Sequence, residues 1–299
     1  MTLRVLAHGG AGSYDHKEHD GPQTAADVGL QALQATGSVL DAVIAATVHL
    51  EDDPRFNAGT GSNVRLDGTT IEMDASVTTC DGRFGAVACI ENVQNPVLVA
   101  KDVLETPHNL LAGKGATAYA RTRGHAPYDP TAPVALEKFA KLQAMLAAGA
   151  VEDGWCEWDL PELEKHWNFS TPFREAVGCS DTVGAVASNG THFAAALSTG
   201  GTISTLLGRV GDVPMIGCGL WAGPAGAVCV TGDGDHLARA KLASRVQTWL
   251  EEGKTPDECV GLAIQLFPPE VAVGLLVVNP HGGAGGSNLQ MAWGLAEAS

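Results

Sequence analysis

Basic residues are scarce in this chain. Its 18 Lys and Arg stand against 34 Asp and Glu, a formal charge of −16. Such a surface repels phosphate backbones and anionic membranes, so neither nucleic acid nor membrane is an expected partner. Long apolar runs are also lacking. The longest, Val271 to Val278, falls far short of the roughly 20 residues that a membrane span needs. The seven cysteines form no Cys-x-x-Cys pair, which excludes a zinc ribbon or a thioredoxin-type motif. An odd, unpatterned count suits a reducing compartment. The opening Met1 to His8 reaches polar residues and glycine too early for a signal peptide, so a cytoplasmic protein is expected. The ten histidines show no metal-ligand spacing.

What is abundant is apolar surface and glycine. Hydrophobic residues make up 45% of the 299, enough for a sizeable core, and 37 residues are glycine. Leu3 to Ala7 reads as a strand ending in a tight loop at His8-Gly9-Gly10-Ala11-Gly12. Ser38 followed by Asp41 resembles a capping box, opening a helix that should stop before Pro54. Strands are predicted at 70–77 and 84–90, with a turn at Cys80-Asp81-Gly82, and Ala-rich helices between 95 and 148. An acidic, Trp-containing stretch at 149–181 lacks any period and reads as a connector. Strands at 182–187 and 193–197 flank a hairpin signal, Ser188-Asn189-Gly190. A strand at 228–231, helices at 236–250 and 256–266, and a strand at 271–278 complete the reading. Strands and helices come in adjacent pairs, which argues for sheets stacked between helices and against βαβ units.

Four glycine-rich pieces stand out: Phe56-Asn57-Ala58-Gly59-Thr60-Gly61, Asp181-Thr182-Val183-Gly184-Ala185-Val186-Ala187, Ser198-Thr199-Gly200-Gly201 with Gly208-Arg209-Val210-Gly211-Asp212, and Thr231-Gly232-Asp233-Gly234-Asp235. None is a P-loop, a dinucleotide fingerprint or a Gly-x-Ser-x-Gly elbow. Together and in this order they resemble the plant-type L-asparaginase/isoaspartyl peptidase family of N-terminal nucleophile (Ntn) hydrolases. The resemblance runs over nearly the whole chain. It implies an α+β fold, a four-layer αββα sandwich forming a single domain from two cleavage fragments, 1–181 and 182–299. It also implies a homodimer of such αβ units and a small-molecule substrate, asparagine or a β-aspartyl peptide.

The chemistry of Thr182 gives this substance. Within a chain its hydroxyl has no base beside it. Once the Asp181–Thr182 bond is broken, Thr182 carries an α-amino group with an ordinary pKa of about 7.7–8.0, able to act as base for its own hydroxyl near neutral pH. Thr199 lies across the predicted hairpin, where the family uses a threonine to orient that amine. The resemblance gives the Thr231 hydroxyl and Gly232 N–H the oxyanion hole, where one donor is worth about 3–4 kcal/mol of barrier. Arg209 and Asp212 suit the α-carboxylate and α-ammonium of an amino-acid substrate, and the family uses these positions in that way. Asn57 carries an amide placed near the nucleophile in the family. No catalytic cofactor is implied. The stretch from Leu50 matches the family's sodium loop, with the backbone carbonyls of Leu50, Glu51, Asp53, Phe56, Ala58 and Thr60 as ligands. Asp before the nucleophile also resembles glycosylasparaginases, one alternative; an unprocessed, non-catalytic scaffold of the same fold is another.

Overall fold

The computed structural model describes residues 2–12, 20–65, 67–147, 165–169, 182–203 and 205–299. Most of the connector at 149–181, and Asp181 itself, lie outside the described residues. The chain is a mixed α and β structure. One sheet has seven strands in the order β11-β1-β5-β6-β2-β3-β4. These are β1 (Leu3–Gly12), β2 (Met73–Thr79), β3 (Phe84–Ile90), β4 (Leu110–Ala112), β5 (Val183–Ser188), β6 (Phe193–Thr199) and β11 (Gln290–Ala298). The second sheet runs β10-β9-β8-β7, with β7 (Leu220–Gly223), β8 (Gly226–Gly232), β9 (Val273–Val278) and β10 (Gly283–Ser287). All pairs are antiparallel except β3 with β4.

The strands are apolar on both faces because both faces are covered. On β1, Val5 and Ala7 join a cluster with Leu33 of α1 (Asp20–Thr36) and with Val43 and Leu50 of α2 (Val39–Glu51). Val97 and Val103 of α3 (Pro96–Leu104) and Ala116 of α4 (Gly113–Thr122) belong to the same cluster. Leu6, on the opposite face, packs with Val186 and Leu197 of its own sheet and with Leu220, Cys229 and Leu276 of the other. On β8 the alternation repeats. Ala227 and Cys229 face the first sheet, whereas Val228 and Val230 pack with Leu237 of α6 (Gly234–Ala240) and with Val246 of α7 (Leu242–Glu251). Val260 of α8 (Pro256–Gln265) completes that cluster. A further helix, α5 (Pro133–Ala147), precedes the connector.

Two helix starts carry side-chain caps. Ser38 accepts the Asp41 N–H at 3.1 Å, and Thr255 with Glu258 forms a complete capping box at α8. Two expectations need correction. The His8-Gly9-Gly10-Ala11-Gly12 segment is strand rather than loop: β1 runs on to Gly12 and absorbs the glycines as a register shift against β11 between His8 and Ala11. The helix expected at 236–250 is two helices, broken where Lys241 takes the left-handed conformation (φ 50°). Helix α1 and strands β4, β7, β10 and β11 went unread, being short, Gly-rich or weakly periodic. The described part of the connector docks: Asn168 Nδ2 donates to Leu207 O at 3.0 Å and its Oδ1 accepts the Leu207 N–H at 2.9 Å. Among the described residues no helix is long and apolar enough to cross a membrane.

Lys241 is exposed and bears the steric cost of a left-handed residue, about 1 kcal/mol. Lys241→Gly is expected to stabilise the protein by about that amount, measured as a raised midpoint in urea unfolding.

Candidate active site

The register of β5 and β6, from Ser188↔Phe193 to Val183↔Ser198, carries Thr182 level with Thr199 at the next position. On the other side of β6, Thr199 pairs with Asp74 of β2. Thr182, Thr199 and Asp74 thus form a row across three adjacent strands, each at most 4% exposed. On the other side of β5, His8 of β1 pairs with Gly184. Burial holds the His8 imidazole down at about 3, with the neighbouring Thr182 backbone opposing in part, so it is neutral.

The second sheet reaches the same place through Thr231, at the end of β8. Its Oγ1 accepts the Ala11 N–H of β1 at 3.2 Å. Gly232 follows with φ +130°, and a Cβ there would stand 2.1 Å from Ala272 O, so only glycine fits. The corner is pinned by Asp233, whose N–H donates to Ala272 O at 2.9 Å and whose Oδ2 accepts the Ala272 N–H at 2.8 Å.

Arg209 and Asp212 sit on the loop between β6 and β7. Arg209 donates through Nε (2.9 Å) and Nη2 to Asp235 Oδ2, a partner 26 residues away rather than the neighbouring Asp212. Asp212 is buried, and its Oδ2 has no hydrogen-bond partner among the described residues. Burial pushes its carboxyl up to about 7, with Arg209 pulling it down and Asp235 and Asp74 pushing it up. Asp74 rises to about 6, again through burial, opposed by the Cys89 N–H it accepts at 2.7 Å and by Arg65 and Arg209.

A family model for asparaginases matches residues 1–299. An isoaspartyl peptidase/L-asparaginase from Danio rerio is 38% identical over 99% of this chain and 93% of its own length. A plant-type L-asparaginase from Pyrococcus furiosus is 37% identical over 95% of this chain and 92% of its own. The isoaspartyl peptidase/L-asparaginase of Rattus norvegicus is 37% identical over 94% and 82%. The chain belongs to the asparaginase family.

Within this asparaginase-family chain the expected residues fall into three groups. Thr182 and Thr199 are level neighbours on β5 and β6, and Thr231, followed by Gly232, reaches Ala11 of β1, the strand beside β5. Arg209 and Asp212 share one loop, coupled electrostatically to Asp74 at the end of the threonine row. Asn57 supports the row from behind: its Nδ2 donates to Gly201 O at 2.9 Å, its Oδ1 accepts the Asn63 N–H at 2.7 Å and its backbone O accepts the Gly200 N–H at 2.9 Å. In the loop after α2, Glu51 O accepts the Thr60 N–H at 2.8 Å and Asp53 O accepts the Phe56 N–H at 3.1 Å. The Glu51 side chain is buried, pushed up to about 8 by that burial, and its Oε1 accepts the Val97 N–H at the start of α3. Among the described residues no group of His, Cys, Asp and Glu is arranged to hold a metal. Arg65, Glu72 and Asp74 were not singled out from the sequence, and Asp235 was noted only as part of the fourth glycine-rich piece. Only the spacing Glu72-x-Asp74, on one face of a strand entrance, offered a signal for two of them.

The raised carboxyls have a consequence for stability. Asp212, at about 7 folded against 3.8, keeps a proton that the unfolded chain sheds from about pH 4 upward, so its contribution is lost as pH rises toward and through 7. His8, at about 3 folded against 6.5, acts oppositely, but only below pH 6.5. Between pH 6.5 and 8 stability is therefore expected to fall. Asp212→Asn should make that slope shallower in denaturant titrations, leaving the part due to Glu51, which burial holds at about 8; an unchanged slope contradicts the assignment.

Proposed function

We propose that this chain is a self-processing amidohydrolase that hydrolyses L-asparagine and β-aspartyl peptides through a threonine acyl-enzyme. The observation that carries the reading is the level row of Thr182 and Thr199, with Thr231 of the second sheet bonded to Ala11 of the strand beside β5, in a chain whose relatives are named isoaspartyl peptidase/L-asparaginase. In the first reaction the Thr182 hydroxyl attacks the Asp181 carbonyl. The amide nitrogen leaves as the Thr182 amine, and water hydrolyses the ester. The proposed product is one four-layer αββα domain of the Ntn type made from residues 1–181 and 182–299. The apolar clusters on both faces of each sheet support that architecture. A homodimer of such units in the cytoplasm completes the reading.

In turnover the Thr182 amine takes the proton of its own hydroxyl, and Oγ attacks the side-chain carbonyl of the substrate. The Ala11 N–H already donates to Thr231 Oγ1, so the Thr231 hydroxyl hydrogen is left to donate to the oxyanion beside the Gly232 N–H. Thr199 orients the amine, and Asn57 holds the turn that follows Thr199. Ammonia or an amine leaves with the returned proton. Water then breaks the ester and aspartate is released. Arg209 clamps the substrate α-carboxylate while retaining Asp235. The unpartnered Asp212 Oδ2 receives the α-ammonium, whose charge draws the Asp212 proton off.

The loop after α2 is the expected sodium site. A Cβ on Gly61 (φ +102°) would lie 2.5 Å from Pro54 O and 2.8 Å from Phe56 O, so the loop closes tightly around Gly61. The carbonyls of Leu50, Glu51, Asp53, Phe56, Ala58 and Thr60 would hold the ion, a hard cation suited to neutral oxygen ligands. When bound it stiffens the loop that carries Asn57.

Thr182→Ala is expected to abolish release of aspartate from L-asparagine and from β-Asp-Leu, with a loss above about 10³-fold. Retained turnover would remove Thr182 from its role. Preferential hydrolysis of a glycosylated asparagine by the unaltered enzyme would move the substrate assignment to the glycosylasparaginases.

A further inference from the structure

Arg65 is among the largest fully buried side chains of the protein, at 1% exposure. A buried guanidinium is costly unless its surroundings use it. Here it joins two segments that are far apart in sequence. Its Nη1 donates to Thr202 O at 2.5 Å, in the turn that follows Thr199, and its Nη2 donates to Glu72 O at 3.1 Å. Its Nε stands 3.7 Å from Glu72 Oε2 and has no hydrogen-bond acceptor among the described residues. Glu72 Oε2 in turn accepts the Gly208 N–H at 2.9 Å, one residue before Arg209.

The turn leaves room for this side chain. Gly201 has φ +68°, and a Cβ there would meet both terminal nitrogens of Arg65 at 2.6 Å. The Gly201 N–H donates to Thr199 Oγ1 at 3.0 Å, so a shift of Gly201 would carry the Thr199 hydroxyl with it. The Gly201 carbonyl is held from its own side by Asn57 Nδ2 and Asn63 Nδ2, each at 2.9 Å. One arm of the network thus ends on the hydroxyl beside Thr182, and the other on the loop that carries Arg209.

We propose that Arg65, through Glu72, is a positioning residue that sets the Thr199 turn and the Arg209 loop at a fixed spacing, so that the nucleophile's partner and the carboxylate clamp are registered to one another. This rests on the amidohydrolase reading above. A planar fork spanning two carbonyls and facing a carboxylate cannot be reproduced by a lysine ammonium. Arg65→Lys keeps the charge and loses the geometry. Glu72→Gln keeps an acceptor for the Gly208 N–H but removes the charge that holds Nε, and touches only the arm leading to Arg209.

Steady-state kinetics on L-asparagine test this, with circular dichroism and thermal unfolding to verify folding. In Arg65→Lys, kcat is expected to fall and KM to rise, each by about tenfold, with the unfolding midpoint close to that of the unaltered enzyme. In Glu72→Gln, KM rises by about tenfold while kcat stays near the unaltered value. Folded Arg65→Lys with either constant unchanged overturns the proposal, as does a lowered unfolding midpoint as its sole effect. If Arg65→Lys does not fold, Glu72→Gln decides alone, and an unchanged KM overturns the proposal. Unaltered enzyme that hydrolyses neither L-asparagine nor a β-aspartyl dipeptide overturns the functional reading itself, an outcome separate from any of these.

Discussion

The register between β5 and β6 is the constraint on which the site depends. Side chains alternate along a strand, so a slip of one residue would carry Thr182 away from Thr199 and turn the face of β5 that packs under the helices toward the other sheet. Both faces are apolar here, but they are not interchangeable: Ala185 and Ala187 lie against the helical side, and Val186 enters the cluster between the sheets. The hairpin at Ser188 and Asn189 fixes the same register from the far end. Its Asn189 Oδ1 accepts the His192 N–H at 2.9 Å, and the Gly190 N–H donates to Ser188 Oγ at 3.0 Å. Packing and turn chemistry thus agree on a single alignment, and the threonine row follows from it.

Around that row the protein keeps charge in dry surroundings. Asp74 lies within electrostatic reach of Arg65, Arg209, Glu72 and Asp212. Buried charges of this kind contribute less to stability than to specifying a geometry. The carboxyls of Asp74 and Asp212 are held above their ordinary values, so part of the negative charge appears only when a cation arrives. A substrate ammonium is such a cation.

Much of this was legible in the sequence. The four glycine-rich pieces and their order carry the family, and strand propensity with a hairpin signal placed Thr182 opposite Thr199. Other features were hidden for physical reasons. The run from His8 to Gly12 looks like a loop because glycine favours turns, yet β5 and β11 both pair with His8, and β11 pairs again with Ala11 and Gly12, which holds the run extended. Lys241 gives no sign of a helix break, since its left-handed backbone is a tertiary outcome and the apolar period continues past it. Arg65 is a lone basic residue in a polar stretch. Its importance comes from Thr202, 137 residues away, and no local pattern encodes such a contact. Asp235 was visible only as a charged residue near glycines until the fold brought it to Arg209.

The central claim is that Thr182 becomes an amino terminus and serves as both nucleophile and base. Intact-mass spectrometry of the purified, catalytically competent protein tests it most directly. The account predicts two polypeptides corresponding to residues 1–181 and 182–299, the second beginning with Thr182. Full turnover from a preparation containing only the uncleaved 299-residue chain would contradict it.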